Sequence, residues 1–177
     1  QTSALFGTGD NDLITDMPLL VDGYDGVTPV LAGASLTGAL RAYLGAREVG
    51  YRQSDKTIAN SSSQLTEALF GGFKGDDNGL QRALIIDDAY GTNFGIESRD
   101  GVRIDPQTRT ASNQELFNLQ AWQAGTKFGL RFELVLAQPR RGIGNNYHQR
   151  LKQGLAIALE GLANGNITLG GRKKRGY

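Results

Sequence analysis

The sequence predicts a domain of the α+β class, and three observations carry that reading. Apolar residues recur with helical spacing in two stretches, near residues 35–47 and 151–162. Continuous or alternating apolar runs fall between them, at residues 82–87 and 127–136, as strands require. Glycine is used 25 times, which points to tight turns and close backbone approach rather than to a helical bundle. A length of 177 residues suits one domain with a true core, and 39% hydrophobic with 21% charged residues is ordinary for a globular chain.

The elements follow in order. Residues 3–6 read as the end of a strand, followed by a polar Gly/Asp/Asn loop from Gly7 to Asp12. Leu36, Ala39, Leu40, Tyr43 and Leu44 form an amphipathic stripe, so a helix is expected over residues 35–47 with Ser35 as its N-cap. Residues 51–63 read as a polar loop containing a serine run, and Gln64 to Phe70 as a short helix. Leu84, Ile85 and Ile86 are consecutive and mark a buried strand over residues 82–87. Val102 and Ile104 flank Arg103, and Asp105-Pro106-Gln107-Thr108 places proline at the second position of a type I turn, so the chain should return through Arg109-Thr110-Ala111 as a hairpin. Phe117 and Trp122 sit among polar neighbours as strand residues do, and read as core rather than as base-stacking platforms. Phe128, Leu130, Phe132, Leu134 and Leu136 share one face of a strand over residues 127–136. Leu151, Leu155, Ala158, Leu159 and Leu162 mark a second long helix, and residues 166–169 a last strand.

Two glycine-rich elements carry chemistry. Gly170-Gly171 permits φ > 0 and close approach of another backbone, and Arg172, Lys173, Lys174 and Arg175 follow at once with charge for phosphate oxygens. Gly33 and Ala34, just before the first helix, are too small to shield its N–H groups, so that helix start suits an anion. The formal net charge is only +1, so affinity for nucleic acid must come from such local clusters. No cysteine is present, which excludes disulfides and thiolate metal sites and fits a reducing cytoplasm. No apolar run approaches the roughly 18 residues of a membrane helix, so no membrane partner is expected.

Six segments then stand in a recognisable order: Asp16-Met17-Pro18-Leu19-Leu20, Gly33 to Arg41, Leu69-Phe70-Gly71, Leu84 to Ala89, Arg99 to Ala111, and Gly170 to Gly176. Together they resemble the Cas7 group of the CRISPR repeat-associated (RAMP) RNA-binding proteins, in particular the backbone subunits of type III effector complexes, the Csm3 and Cmr4 type. The resemblance spans nearly the whole chain. It implies a ferredoxin-like, RRM-like core with an inserted β-hairpin thumb at about residues 91–115. The thumb would reach across a neighbouring subunit and wedge between guide and target strands, with Arg99, Arg103 and Arg109 on phosphates. Gly33, Ala34, Ser35, Arg41, Gly170, Gly171, Arg172, Lys173, Lys174 and Arg175 would bind guide RNA. The implied partners are a crRNA, a single-stranded target RNA, other Cas7-like subunits and further Cas proteins. Thr37 stands where the family usually has lysine, and Ala34 where it usually has serine, so a guide-binding cation is missing at residue 37. Because the chain opens at Gln1 while the family pattern is still running, it is expected to be part of a longer polypeptide.

For catalysis, Asp10, Asp12, Asp16, Asp22 and Asp25 crowd the N-terminal region without a histidine nearby. A carboxylate can hold a divalent ion that positions a 2′-hydroxyl or a leaving oxygen during phosphodiester cleavage. Aspartate also favours turns, which accounts for such residues without any chemistry. The cleaving members of the resembled family use one aspartate before a proline step and a hydrophobic pair, and Asp16 matches that position. The resemblance thus implies a metal-dependent endoribonuclease with Asp16 as catalytic and metal-holding residue and Mg²⁺ or Mn²⁺ as cofactor. The alternative is a non-cleaving structural paralogue that only binds crRNA and builds the filament. His148, the sole histidine, lies far from any nucleophile-elbow pattern and reads as an exposed or capping side chain. Gly7-Thr8-Gly9 is too short for a dinucleotide fingerprint, which disfavours a small metabolic enzyme with a phosphate site.

Overall fold

The structure is a computed structural model that describes residues 3–8, 18–50, 64–72, 81–92, 95–104, 107–136 and 146–171. In chain order its elements are β1 (Val30–Leu31), α1 (Gly33–Val49), α2 (Gln64–Phe70), β2 (Leu84–Ile86), β3 (Ala89–Tyr90), β4 (Ile96–Ile104), β5 (Ala111–Trp122), β6 (Phe132–Leu134) and α3 (Tyr147–Ala163). All strand pairs among the described residues are antiparallel: β1 with β3, β2 with β6, β4 with β5. The chain is therefore of the mixed α+β class. Two compact units divide it, one comprising Gln1–Leu31, Asp88–Gly129 and Leu169–Tyr177, the other Ala32–Asp87 and Leu130–Thr168.

The first unit is a succession of short extended segments linked by backbone hydrogen bonds. Ala4 and Trp122 exchange both of their bonds, at 3.0 and 2.8 Å, and the Leu20 amide donates to Phe6 at 2.7 Å. Val30 donates to Leu20, Gly91 to Pro29, and Gly129 to Tyr90, so the pairing continues through β1 and β3. Leu5, Leu19 and Trp122 are buried at its centre, with Phe6, Val21 and Phe128 packed around them. Phe6 and Phe128 meet edge to face at 5.4 Å, the geometry that an aromatic quadrupole favours. From this core the β4–β5 ribbon extends in register from Ile96 opposite Trp122 to Val102 opposite Leu116, then shifts register before Ile104 meets Ala111. The predicted hairpin is thus present, and its return strand runs further than expected, to Trp122.

Among its described residues, the second unit packs three helices with a two-stranded sheet. Leu36, Leu40 and Leu44 make the buried stripe of α1, each contributing about 1.5–3 kcal/mol by leaving water. Leu151, Gly154, Ala158 and Gly161 make that of α3. The absent side chain of Gly161 admits the Tyr43 ring of α1. Glu48 near the end of α1 accepts from the Leu65 and Thr66 amides at 2.8 and 2.9 Å and from the Thr66 hydroxyl at 2.6 Å. One carboxylate thereby satisfies amides at the start of α2 that the helix itself cannot. In the β2–β6 sheet, Leu84 and Ile86 share a face with Leu134 and Phe132, while Ile85 and Glu133 lie on the other.

Three sequence expectations are corrected. Ser35 is not the N-cap: α1 begins at Gly33, Ala32 takes the capping position, and the Ser35 and Leu36 amides both donate to the Ala32 carbonyl. Packing sets that start, because a Cβ on Gly33 would lie 2.4 Å from the Ile86 carbonyl oxygen and 2.9 Å from that of Asp87. The strand expected over residues 127–136 is only Phe132–Leu134, because Phe128 bridges to Gly91 in the first unit while Phe132 pairs with Ile86 in the second. The apolar alternation therefore crosses a boundary, and Leu130 and Leu136 are exposed. Residues 166–169 form no strand; Gly165 and Gly170, at φ +70° and +90°, turn the chain on either side of them.

Candidate nucleic-acid interface

Asp16, Asp10 and Asp12 lie outside the described residues, as do Arg172, Lys173, Lys174 and Arg175. The stems that carry both segments are described. Gly7 bridges Leu19 in antiparallel fashion, the Thr8 amide donates to Pro18 at 3.1 Å, and the Leu20 amide to Phe6 at 2.7 Å. Residues 7–8 and 18–19 are therefore antiparallel neighbours, and Asp16 stands two positions before Pro18 in the sequence. At the other end of the chain, Gly170 adopts φ +90°, and a Cβ there would lie 2.8 Å from the Leu5 carbonyl oxygen. The Gly171 amide donates to that same oxygen at 2.9 Å. The glycine pair thus does what its composition suggests, taking a left-handed turn against another backbone. Leu5-Phe6 consequently anchors two things at once, the root of the cationic tail and the stem of the Asp16 loop.

The neighbouring aspartates are engaged in turn chemistry. The Asp22 carboxylate accepts from the Tyr24 amide at 3.1 Å, and Asp25 accepts from the Val27 and Thr28 amides, both at 2.9 Å, and from the Thr28 hydroxyl. The Thr28 hydroxyl, then these amides, hold the Asp25 carboxyl below its ordinary range. Both carboxylates therefore fix the loop between Val21 and Pro29.

On α1 the expected residues separate by role. Ala34, Ser35 and Gly38 are exposed, and nothing lies within 4 Å of where a Gly38 side chain would be. This corner of the helix offers backbone rather than bulk. Gly33 is buried beneath it against Ile86 and Asp87. Arg41 is half-buried and its guanidinium donates to the Phe70 carbonyl at 3.3 Å, at the C-terminal end of α2, where a cation opposes the helix dipole favourably.

On the ribbon, Arg99 is bound at its root. Its Nε donates to Glu97 at 2.6 Å and its Nη2 to the Ser3 hydroxyl at 3.2 Å, and that hydroxyl donates to the second Glu97 oxygen at 2.7 Å. The Arg99 bond and then the Ser3 bond hold the Glu97 carboxyl below its ordinary range. Arg103 lies on β4 at the register shift, with its side chain outside the description. Arg109 is exposed in the connecting turn at φ 55°, a left-handed conformation uncommon for a residue with a side chain. Trp122 is wholly buried, as a core residue, and His148 is exposed in the first turn of α3. The first unit thus brings together the tail root, the Asp16 stem and the ribbon root, while Gly33, Ala34, Ser35 and Arg41 belong to the second. Ser3, Glu97 and the Leu5 carbonyl were not legible as site components, since no motif marks them.

Among the described residues no three His, Cys, Asp or Glu side chains gather as a metal site, and no helix is long and apolar enough to cross a membrane. The described residues define an antiparallel α+β protein with a long two-stranded ribbon. The model of the RAMP superfamily matches residues 4–177. The chain belongs to the RAMP superfamily, and that membership points to a CRISPR-associated RNA-binding subunit. No curated protein matches the chain.

Proposed function

We propose that the chain is a guide-RNA-binding backbone subunit of a type III CRISPR interference complex, of Cas7 type, and that it cleaves paired target RNA at Asp16. The observation that carries this reading is the double anchorage on Leu5-Phe6, with the Gly171 amide on Leu5 and the Leu20 amide on Phe6. A cationic segment able to hold RNA phosphates and the loop bearing the candidate carboxylate depart from one short stretch of backbone. Superfamily membership over residues 4–177 supports the reading, and a ferredoxin-like core is part of the proposal.

The residues divide the work as follows. Arg172, Lys173, Lys174 and Arg175 neutralise guide phosphates, and the exposed small residues Ala34 and Ser35 let the RNA backbone approach α1 closely. The ribbon, with Arg109 at its turn, meets the paired strands. Asp16 supplies a hard carboxylate oxygen, the donor type that Mg²⁺ or Mn²⁺ prefers, and Asp22 and Asp25 are committed to their own turn. A divalent ion there would offset charge on the scissile phosphate. Assembly with other Cas7-like subunits and further Cas proteins places the target along the guide. In the alternative role, a scaffold paralogue, the same surfaces bind RNA and no cut occurs.

The first test is binding of a long single-stranded RNA at stepped ionic strength. Affinity should fall by orders of magnitude between about 50 and 200 mM salt, as several released counterions demand. A shallow dependence would instead indicate a site for a small phosphate metabolite and would sink the proposal.

A further inference from the structure

The β4–β5 ribbon is two-stranded, and such a pair has little orientation of its own; its roots decide where it points. One root is the Ala4–Trp122 pair, which ties β5 to the N-terminal segment. Further bonds close the base, from the Gln123 amide to Gly95 at 3.1 Å, from Thr92 to Lys127 at 2.9 Å and from Gly91 to Pro29 at 2.8 Å, but among the described residues Ala4–Trp122 is the one backbone pair that joins the ribbon to the N-terminal segment itself. The second root acts on β4: Ser3, with only 6% of its surface exposed, reaches past β5 to Glu97, and Arg99 closes the triangle. Ala121 lies opposite Glu97 in the register, so both share a face, and its short side chain leaves the crossing clear.

The leverage is large. At about 3.3 Å per residue, β4 from Ile96 to Ile104 reaches roughly 26 Å, so a rotation of about 10° at the root moves the far end by about 5 Å. The Arg99–Glu97 pair is meanwhile 39% and 37% exposed, a setting in which an ion pair adds little to global stability. Its effect must therefore be sought in orientation. Resting on the function proposed above, we infer that Ser3, Glu97 and Arg99 are positioning residues that hold the ribbon at a fixed angle to the segment bearing the Asp16 loop, and so set where the paired target is cut.

The test uses the assembled ribonucleoprotein with wild type, Ser3→Ala and Glu97→Gln. Melting temperature, guide affinity, cleavage rate and product length are measured on a labelled complementary RNA, with amide exchange of β4, β5 and Ala4 followed in parallel. Melting and guide affinity should stay near wild type, while cutting opposite this subunit falls by about 10- to 100-fold or product lengths redistribute, as sub-nanometre misplacement of reacting groups implies. Exchange of Ala4 and Trp122 should accelerate. Unchanged rate, lengths and exchange in both variants overturn the inference. A wild-type complex that binds without cutting overturns the cleavage reading instead, and amide exchange then decides the inference alone. Should Glu97→Gln fail to fold, Ser3→Ala, which leaves the Arg99–Glu97 pair in place, carries the same readouts.

Discussion

The amide of Gly171 and the carbonyl of Leu5 are joined by a 2.9 Å hydrogen bond, so the two ends of the described chain meet where function is proposed. The tail that follows Gly171 and the loop that follows Thr8 share a root.

Gly170→Ala should loosen that root. Its φ of +90° and the Leu5 oxygen 2.8 Å from a built Cβ oppose any side chain, and strain of this kind costs about 1–3 kcal/mol. Calorimetry should show a lower melting temperature, and guide affinity should fall with it.

Gly33→Ala should act through stability rather than through RNA contact. The added methyl would lie 2.4 Å from the Ile86 carbonyl oxygen, and overpacking of this sort costs about 1–3 kcal/mol. Denaturant titration of the RNA-free protein should show that loss.

Replacing Arg172, Lys173, Lys174 and Arg175 by glutamine should flatten the salt dependence of RNA binding. With about 0.7 of slope per phosphate neutralised on single strands, the log–log slope should drop by about 3. Filter binding at five or six salt concentrations measures it, and an unchanged slope removes the tail from the interface.

Glu97 has a folded pKa below its ordinary value of 4.5 because Arg99 and Ser3 bond its charged form. A depressed carboxyl pKa stabilises the fold fully above the ordinary value, and that stabilisation is lost as pH falls through the lower folded value. The Arg99–Glu97 pair is more than a third exposed, so global melting should move little; the protection of Ala4 and Trp122 against amide exchange should instead weaken below pH 4.5 in wild type, a pH effect that Glu97→Gln abolishes.

Much of this was legible in the sequence because it is local. The stripe of Leu36, Leu40 and Leu44, the seven-residue helix ending at Phe70, and the left-handed Gly170 follow from spacing and residue type. What escaped is long-range. Ser3 and Glu97 are 94 positions apart, and nothing at either position announces the other. Ser35 looks like a cap by composition, yet packing of Gly33 on Ile86 starts the helix two residues earlier. The alternation from Phe128 to Leu136 is regular in sequence but serves two units. The bond from Arg41 to the Phe70 carbonyl is likewise a tertiary contact that spacing does not reveal.

Guide-directed cleavage of a labelled complementary RNA by the assembled complex with Mg²⁺ or Mn²⁺, wild type beside Asp16→Ala and with RNA binding followed in parallel, tests the central claim most directly. The account predicts that binding persists in the variant while the cut opposite this subunit disappears. A wild-type complex that binds and never cuts there, or an Asp16→Ala complex that cuts at the wild-type rate, would contradict it.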